Sequence, residues 1–408
     1  MPVAPKIQSS PSSRVNAQGG SRIIARLRSL NIPIVMVALV LVGYGLLVVW
    51  SATQGSTDYS FNRQLMGVGI GVVVMLVLWF VDYSRLAPFV YVLFGLCLLL
   101  IVLPLFPVIG HTVSGARSWV TIFGQQLQPG EFAKVFYILF AAALIARYKG
   151  RLDSGMEYLK CFGLLMAPIF CILLQPDLGT GMVFFVIGMA VLFAGGANRR
   201  WLIITVVGVV VLCIGVLVLD GYLDVAAGRD VLIKDYQKDR LLVFLNPDHD
   251  PNGAGYNLKQ AQIAIGSGGI FGKGLGNATQ STLGFLPEAP TDFIFCVLAE
   301  QFGFVGSLIL IVLYAILMFL VLRVAFSSYD FFGTLIITGV LGMWIFQILE
   351  NIGMNLSIMP ITGIPLPFMS YGTSFMLVNF FALGMALSIW AHRNPIKSNI
   401  FRHGAKVQ

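Results

Sequence analysis

Apolar stretches of about 20 residues recur from residue 33 to residue 392, and this pattern constrains the fold more than any other feature. A helix needs about 20 apolar residues to cross the hydrocarbon core of a bilayer. Only 11% of the chain is charged, against about a quarter in soluble proteins. The sequence therefore predicts an all-α, polytopic membrane protein with about ten transmembrane helices. The predicted spans are 33–52, 64–81, 87–108, 129–147, 158–175, 178–195, 200–220, 292–322, 332–353 and 374–392.

Lysine and arginine in the short connections predict the orientation of the chain. Most of the 26 basic residues fall on one side when both termini are placed together, and loops rich in Lys and Arg stay in the cytoplasm. We therefore predict that both termini are cytoplasmic. The predicted units are a disordered basic tail (1–30), spans one to seven (31–220), a large extracytoplasmic loop (221–290), spans eight to ten (291–393) and a cytoplasmic tail (394–408).

Composition and spacing argue against several kinds of site. The net charge of +8 is scattered between the spans, so we expect no nucleic-acid partner. The five cysteines form no C-x-x-C pair and lie in or beside apolar segments, which disfavours a disulfide framework or a zinc site. The glycine-rich run 266–276 lacks the positions of a P-loop. We interpret this run as flexible backbone that can approach a ligand or the bilayer closely.

Two carboxylates, Glu288 and Asp292, lie where the long polar loop meets an apolar helix. Thr291 can cap that helix and acids favour its first turn, so the pair is either a helix-start device or a reactive site. A continuous helix would place Asp292 about 46 Å from Arg323. A bilayer with its headgroups is about 40–45 Å thick, so Asp292 would lie at the outer headgroups when Arg323 is at the inner surface. This depth favours a site that handles lipid-linked substrates.

Ionisable residues in or beside the spans are further candidates. Arg117 and Lys134 suit a lipid-linked phosphate or pyrophosphate. Lys134 lies one turn into a span and needs an anionic partner, which Glu131 can supply three residues earlier, so a structural pair is the alternative. Glu131 and Asp177 each follow a Gln-Pro step, and this pattern is also typical of ordinary helix initiation.

These motifs resemble the SEDS family (shape, elongation, division and sporulation), the polytopic peptidoglycan glycosyltransferases of bacteria. The resemblance extends over about residues 33–392. Tyr236-Gln237 before Arg240, together with the stretch 360–368, is similar to the elongation-type (RodA-like) branch, and the division and sporulation types are the alternatives. The other matching stretches are Gly115-Ala-Arg117 with Trp119, Gln128-Pro129 with Glu131 and Lys134, Gln175-Pro-Asp-Leu-Gly-Thr-Gly181, Gly272-Lys-Gly274, Pro287-Glu288, Thr291-Asp-Phe-Ile-Phe295 and Ser370-Tyr371-Gly372.

The resemblance implies a function and a set of partners. The implied activity is polymerisation of lipid II into glycan strands at the outer face of the bacterial cytoplasmic membrane during cell elongation. The substrates would be lipid II and a glycan linked to undecaprenyl pyrophosphate. The implied protein partners are a class B penicillin-binding protein, which is a transpeptidase, and the elongation machinery.

The resemblance also implies roles for particular residues. Asp292 maps onto the family's catalytic aspartate and would act as general base. The implied substrate-binding residues are Arg117, Lys134, Glu288, Glu131 and Lys273. The resemblance assigns no certain cofactor, and the developing pyrophosphate charge would be stabilised by Arg117, by Lys134 or by a divalent cation (Mg²⁺ or Mn²⁺) held by acids such as Glu288. Pro290 stands where the family usually has His, which removes a titratable neighbour of Asp292.

Two other classes of function remain open at this point. A lipid II flippase or transporter also has broken helices and buried charge, but its polar groups would lie near the bilayer midplane rather than at one face. A scaffold would only recruit a partner and would make no glycan itself.

Overall fold

The computed structural model describes residues 29–54, 59–106, 109–113, 116–122, 125–227, 235–246, 249–251 and 253–393. The predicted tail 394–408 and almost all of the predicted tail 1–30 lie outside the described residues. Helices make up most of the described chain, and most of them are long and apolar. They are α1 (Ile32–Ala52), α2 (Phe61–Phe80), α3 (Val90–Val102), α4 (Pro129–Ala146), α5 (Gly155–Leu173), α6 (Leu178–Ala194), α7 (Arg199–Ala227), α8 (Asp235–Leu245), α9 (Ala254–Gly268), α10 (Thr279–Thr282), α11 (Ile294–Ser327), α12 (Phe331–Asn355) and α13 (Thr373–Ala391).

The helices match the predicted spans one to one. Within the described residues, nine helical segments are long and apolar enough to cross a membrane, including Tyr83–Leu105, in which two 3-10 turns flank α3. The tenth predicted span corresponds to α6, a shorter apolar helix of 17 residues. The prediction of an all-α polytopic membrane protein is confirmed. Among its described residues, the predicted loop 221–290 contains the end of α7 and the helices α8, α9 and α10.

A small antiparallel sheet lies between α3 and α4 and was not predicted. Its strands are β1 (Gly110–Val113), β2 (Ala116–Ile122) and β3 (Gln125–Leu127), in that order. On β2, Ser118 and Val120 are buried while Arg117 and Trp119 are less so, as the alternation of side chains along a strand requires. The sheet therefore fixes which side of the strand Arg117 occupies.

The core forms around α4, α12 and α13, whose surfaces are mostly buried. Helices α2 and α13 lie close together because glycines face the contact. A Cβ on Gly384 would come within 3.0 Å of the Met75 backbone. Small residues allow membrane helices to pack closely in this way. These buried helices form the rigid support on which the polar loops rest.

Helix α7 differs from the other spans because little of it packs against the protein. Only 6% of the most apolar stretch of this helix is buried inside the protein. The described polar contacts of α7 lie toward its two ends. The Thr205 hydroxyl is 2.7 Å from that of Tyr158 on α5, and Oδ2 of Asp220 is 2.9 Å from Nζ of Lys238 on α8. Helix α7 is thus held mainly at its ends.

Helix α11 is broken at Gly303, which has φ 63° and ψ −159°. The assumption of one continuous helix behind the 46 Å estimate is therefore wrong. The glycine-rich run packs against the break, since the amide of Phe304 donates to the carbonyl of Gly269 (2.9 Å) and the amide of Val305 to that of Ile270 (3.1 Å). The close backbone approach expected of this run is made to α11.

We expect Gly303→Ala to lose about 1–3 kcal/mol of the free energy of unfolding, because alanine disfavours a positive φ. A Cβ there would also come within 2.6 Å of the Ile270 carbonyl. The measurement is thermal unfolding of the detergent-solubilised protein. Gly215→Ala is the matched control, since a Cβ at Gly215 on α7 meets no atom within 4 Å. Equal unfolding temperatures for the two variants would contradict the account of the break.

Candidate functional site

Asp292 lies in a tight turn that precedes α11. The helix begins at Ile294 with Phe293 in the capping position, so Thr291 does not cap the helix, which was one of the two alternatives for this stretch. The Thr291 hydroxyl instead donates to the Glu288 carboxylate (3.0 Å), and the Asp292 amide donates to the Glu288 carbonyl (3.1 Å). Glu288 itself has φ 54°, a left-handed conformation that is costly for a glutamate. The two acids therefore belong to a strained turn outside the helix.

Two buried asparagines of α12 hold this turn in place. The side-chain amides of Asn351 and Asn355 both donate to the main-chain carbonyl of Asp292, at 2.9 and 3.2 Å. Asn351 also donates to the carbonyl of Ile364 (2.8 Å), which belongs to the loop between α12 and α13. Because buried hydrogen bonds are costly to break, these bonds from the asparagine side chains fix the Asp292 backbone against that loop.

Arg240 of α8 is the basic residue that the structure brings to Asp292. A Cβ on Gly363 would lie 3.0 Å from Oδ2 of Asp292 and 3.8 Å from a terminal nitrogen of Arg240, so both groups flank this glycine. The Arg240 guanidinium also donates to the carbonyl of Thr362 (3.1 Å). Arg240 was not among the site residues predicted from the sequence. The signals for it were its place in a charged segment of the long loop and its position after Tyr236-Gln237 in the stretch similar to the elongation-type branch.

Two further carboxylates lie near Asp292. The phenol of Tyr59 donates to the Glu288 carboxylate, and Tyr59 stacks edge-on against Tyr371 with ring centroids 5.2 Å apart. Glu350 of α12 is buried and accepts a hydrogen bond from the Thr362 hydroxyl. The surroundings of Asp292 thus contain two other acids and one arginine.

These surroundings change the acidity of Asp292. Burial, followed by the negative charge of Glu288, raises the pKa of Asp292 to about 6, while Arg240 and the Thr291 hydrogen bond oppose the rise. Burial and the Glu288 carboxylate likewise raise the pKa of the Tyr59 phenol. Asp292 as a whole residue is only partly buried. At pH 7 such a carboxylate is about nine-tenths ionised and is a stronger base than an ordinary aspartate.

Glu131 and Lys134 form a buried ion pair inside α4. Nζ of Lys134 lies 2.5 Å from Oε1 of Glu131, and Lys134 is only 1% exposed. The predicted pairing of the two residues is confirmed. The second oxygen of Glu131 and Nε of Arg117 are buried without a hydrogen-bond partner among the described residues. Within those residues, no hydrogen bond or ion pair joins Lys134 or Arg117 to Asp292.

Lys273 is bound to the broken helix rather than to the Asp292 turn. Its Nζ lies 2.6 Å from Oε1 of Glu300, which is fully buried in α11. The same oxygen accepts from the Thr279 amide (3.0 Å) and the Thr279 hydroxyl (2.7 Å). This cluster closes the glycine-rich loop onto α11.

Asp177 caps a helix, as its position after Gln-Pro predicts. Its carboxylate accepts from the Thr180 amide at 3.0 Å and from the Thr180 hydroxyl at 2.9 Å, at the start of α6. Asp177 therefore initiates a helix in this structure.

The residues around Asp292 do not form a metal site by themselves. In the part of the chain that the structure describes, no three His, Cys, Asp or Glu side chains are grouped to hold an ion. The Glu288 carboxylate is already hydrogen-bonded by the hydroxyls of Tyr59 and Thr291. The donor set thus does not fit a metal held by this chain alone.

Comparison with known proteins identifies relatives along nearly the whole chain. The FtsW/RodA/SpoVE cell cycle protein family matches residues 31–395. Peptidoglycan glycosyltransferase MrdB of Escherichia coli (strain K12) is 35% identical over 372 residues, which cover 90% of this chain and 94% of the relative. Stage V sporulation protein E of Bacillus subtilis (strain 168) is 33% identical over 364 residues, which cover 87% of this chain and 95% of the relative.

Solved structures agree with these relatives. A structure of a peptidoglycan synthase complex that coordinates polymerization and crosslinking superposes with a TM-score of 0.73 at 29% identity, covering 89% of this chain and 98% of the other. The crystal structure of the rod shape determining protein RodA of Thermus thermophilus has a TM-score of 0.64 at 28% identity, covering 89% and 97%. The chain therefore belongs to the FtsW/RodA/SpoVE family, which is the SEDS family that its motifs resemble, and is a multi-pass membrane glycosyltransferase.

Proposed function

We propose that this chain polymerises lipid II into peptidoglycan glycan strands at the outer face of the cytoplasmic membrane, with Asp292 as general base. The observation that carries the proposal is the Asp292 turn, in which the carboxylate of a partly buried aspartate has a raised pKa and lies between Glu288 and Arg240. The relatives support the substrate class, since MrdB of Escherichia coli is named a peptidoglycan glycosyltransferase.

The chemistry begins with proton transfer to Asp292. The carboxylate takes the proton of the GlcNAc 4-hydroxyl of lipid II, and the oxygen attacks the anomeric carbon of a glycan linked to undecaprenyl pyrophosphate. The bond from that carbon to the pyrophosphate breaks, and the pyrophosphate leaves with the electron pair. Attack opposite the leaving group converts an α-linked pyrophosphate into a β-1,4 bond. General base catalysis of this kind contributes about 10²–10⁴-fold to the rate.

Basic groups would stabilise the charge on the leaving pyrophosphate. Arg240 is favoured because it already lies beside Asp292 and is fixed to the carbonyl of Thr362. Arg117 and Lys134 stay predicted substrate contacts, and a phosphate at Lys134 would compete with Glu131 for its ammonium group. A divalent cation that arrives with the pyrophosphate also stays a prediction, which polymerisation with and without EDTA would test.

The cellular role is inferred from shared sequence stretches, and the partner from one solved relative. Elongation is favoured by the stretches shared with the RodA-like branch, although relatives named for RodA, FtsW and stage V sporulation have similar identities of 33–35%. A class B penicillin-binding protein is the proposed partner, because one solved relative belongs to a complex that coordinates polymerization and crosslinking. The distribution of Lys and Arg supports a site on the outer side of the membrane.

We expect Asp292→Asn to lower lipid II polymerisation by the purified protein about 10²–10⁴-fold, because the amide cannot accept the hydroxyl proton. The measurement is glycan formation in the presence of the transpeptidase partner. The matched control is Asp330→Asn, which keeps an oxygen to cap α12 by accepting from the Gly333 amide (2.8 Å). Both variants should keep the wild-type unfolding temperature. Glycan formation by a well-folded Asp292→Asn protein would remove Asp292 from the mechanism.

The rate of polymerisation should rise with pH through a midpoint near 6, as Asp292 loses its proton. Glu288→Gln should move this midpoint to lower pH, because it removes the negative charge that raises the pKa of Asp292. Arg240→Gln should move it to higher pH by removing the opposing charge. The measurement is the initial rate between pH 4.5 and 8.5. Shifts of the same sign in both variants would show that another group controls the profile.

A further inference from the structure

Helix α8 carries two basic residues that contact different parts of the protein. Nζ of Lys238 lies 2.9 Å from Oδ2 of Asp220 on α7. Arg240 donates to the carbonyl of Thr362 and lies across Gly363 from Asp292. Residues two apart on an α-helix point in directions about 200° apart. Helix α8 is therefore a short bridge with α7 on one side and the Asp292 turn on the other.

Asp220 is the residue of α7 that forms the ion pair with Lys238 of α8. It is only 2% exposed although the side chains around it on α7 are mostly apolar and exposed. A carboxylate on a membrane span is costly unless a cation or hydrogen-bond donors compensate it. Breaking such a buried pair by removing one partner is more costly than never forming it. The position of Lys238, and with it that of α8, is thus coupled to α7.

Several contacts hold α8 in place. Val243 is fully buried and anchors the helix to the core, Arg240 holds the loop at Thr362, and Oδ1 of Asp239 lies 3.7 Å from Nε2 of His249. Lys238 adds a contact on the side that faces α7. Because these contacts face different directions, they set the orientation of α8 together, and a loss of the Lys238 contact would let the helix turn relative to α7. Such a turn would move the Arg240 guanidinium relative to Asp292.

We propose that Asp220 is a positioning residue for glycosyl transfer, which acts through Lys238 to hold Arg240 beside Asp292. The inference rests on the proposed function of Asp292. Under this proposal the rate of glycosyl transfer depends on the position of α7. This helix has the smallest buried share of the nine long apolar segments in the described residues. In this proposal the effect of Asp220 on Asp292 passes through its ion pair with Lys238 of α8.

The first test measures kcat and KM for lipid II polymerisation by the full chain with its transpeptidase partner. Asp220→Asn should lower kcat about 10–100-fold, because a displacement of about 1 Å at a reacting group can cost that much, and should leave KM for lipid II unchanged. Asp220→Asn with Lys238→Gln removes both charges of this ion pair together, so it should fold and show the same loss of kcat. The exchange Asp220→Lys with Lys238→Asp should restore kcat.

Thr205→Val is the matched control. It removes the hydrogen bond between Thr205 of α7 and Tyr158 at the other end of the same span, and it should leave kcat unchanged. A loss of kcat in Thr205→Val equal to that in Asp220→Asn would mean that any loosening of α7 slows the enzyme. That result would overturn a specific role for the Asp220–Lys238 pair.

The second test is a double-mutant cycle with Arg240→Gln. If Asp220 acts through Arg240, adding Asp220→Asn to Arg240→Gln should cause no further loss of kcat, whereas independent effects would multiply. Multiplied losses, or wild-type kcat in the neutral double variant, would overturn the inference. Such outcomes alongside an inactive Asp292→Asn would leave the proposed function intact. Full activity of Asp292→Asn would instead overturn the proposed function itself.

Discussion

The low polarity of the membrane forces buried charges in this protein to find partners, and much of the architecture follows from that requirement. Three buried carboxylates each meet a lysine: Glu131 meets Lys134, Asp220 meets Lys238, and Glu300 meets Lys273. An isolated ion in such surroundings would cost several kcal/mol. The pairs of Asp220 with Lys238 and of Glu300 with Lys273 join separate parts of the chain, whereas Glu131 and Lys134 pair within α4. Apolar packing alone would leave such parts freer to slide, because the hydrophobic effect has no direction.

Asp292 is distinguished from these structural carboxylates by its surroundings. It keeps some exposure to solvent, and another acid raises its pKa while an arginine limits the rise. A carboxylate held in this way is ionised at neutral pH but still able to take a proton. The strain at Glu288 and the two asparagine amides on the Asp292 carbonyl show that the position is maintained by the rest of the fold.

The broken helix α11 connects the core to this site. The break at Gly303 lets the loop that follows α9 form backbone hydrogen bonds with the helix, and the cluster of Lys273, Thr279 and Glu300 closes the same loop. The first part of α11 is thereby held from two sides. Asp292 lies two residues before this helix. The hydrogen bonds around the break therefore also limit how far the Asp292 turn can move.

The sequence by itself determined the membrane class, the ten spans and the family, because apolar length and motif order are properties of consecutive residues. It also determined that Glu131 and Lys134 would pair, since a helix brings residues three apart together. Only the tertiary structure decided that Arg240 faces Asp292, that Lys273 faces Glu300, and that Thr291 does not cap α11. The contacts of Arg240 with Asp292 and of Lys273 with Glu300 join segments that are far apart in the sequence. They depend on the break at Gly303 and on the short helix α8. Their geometry comes from tertiary packing, which the pattern of neighbouring residues does not contain.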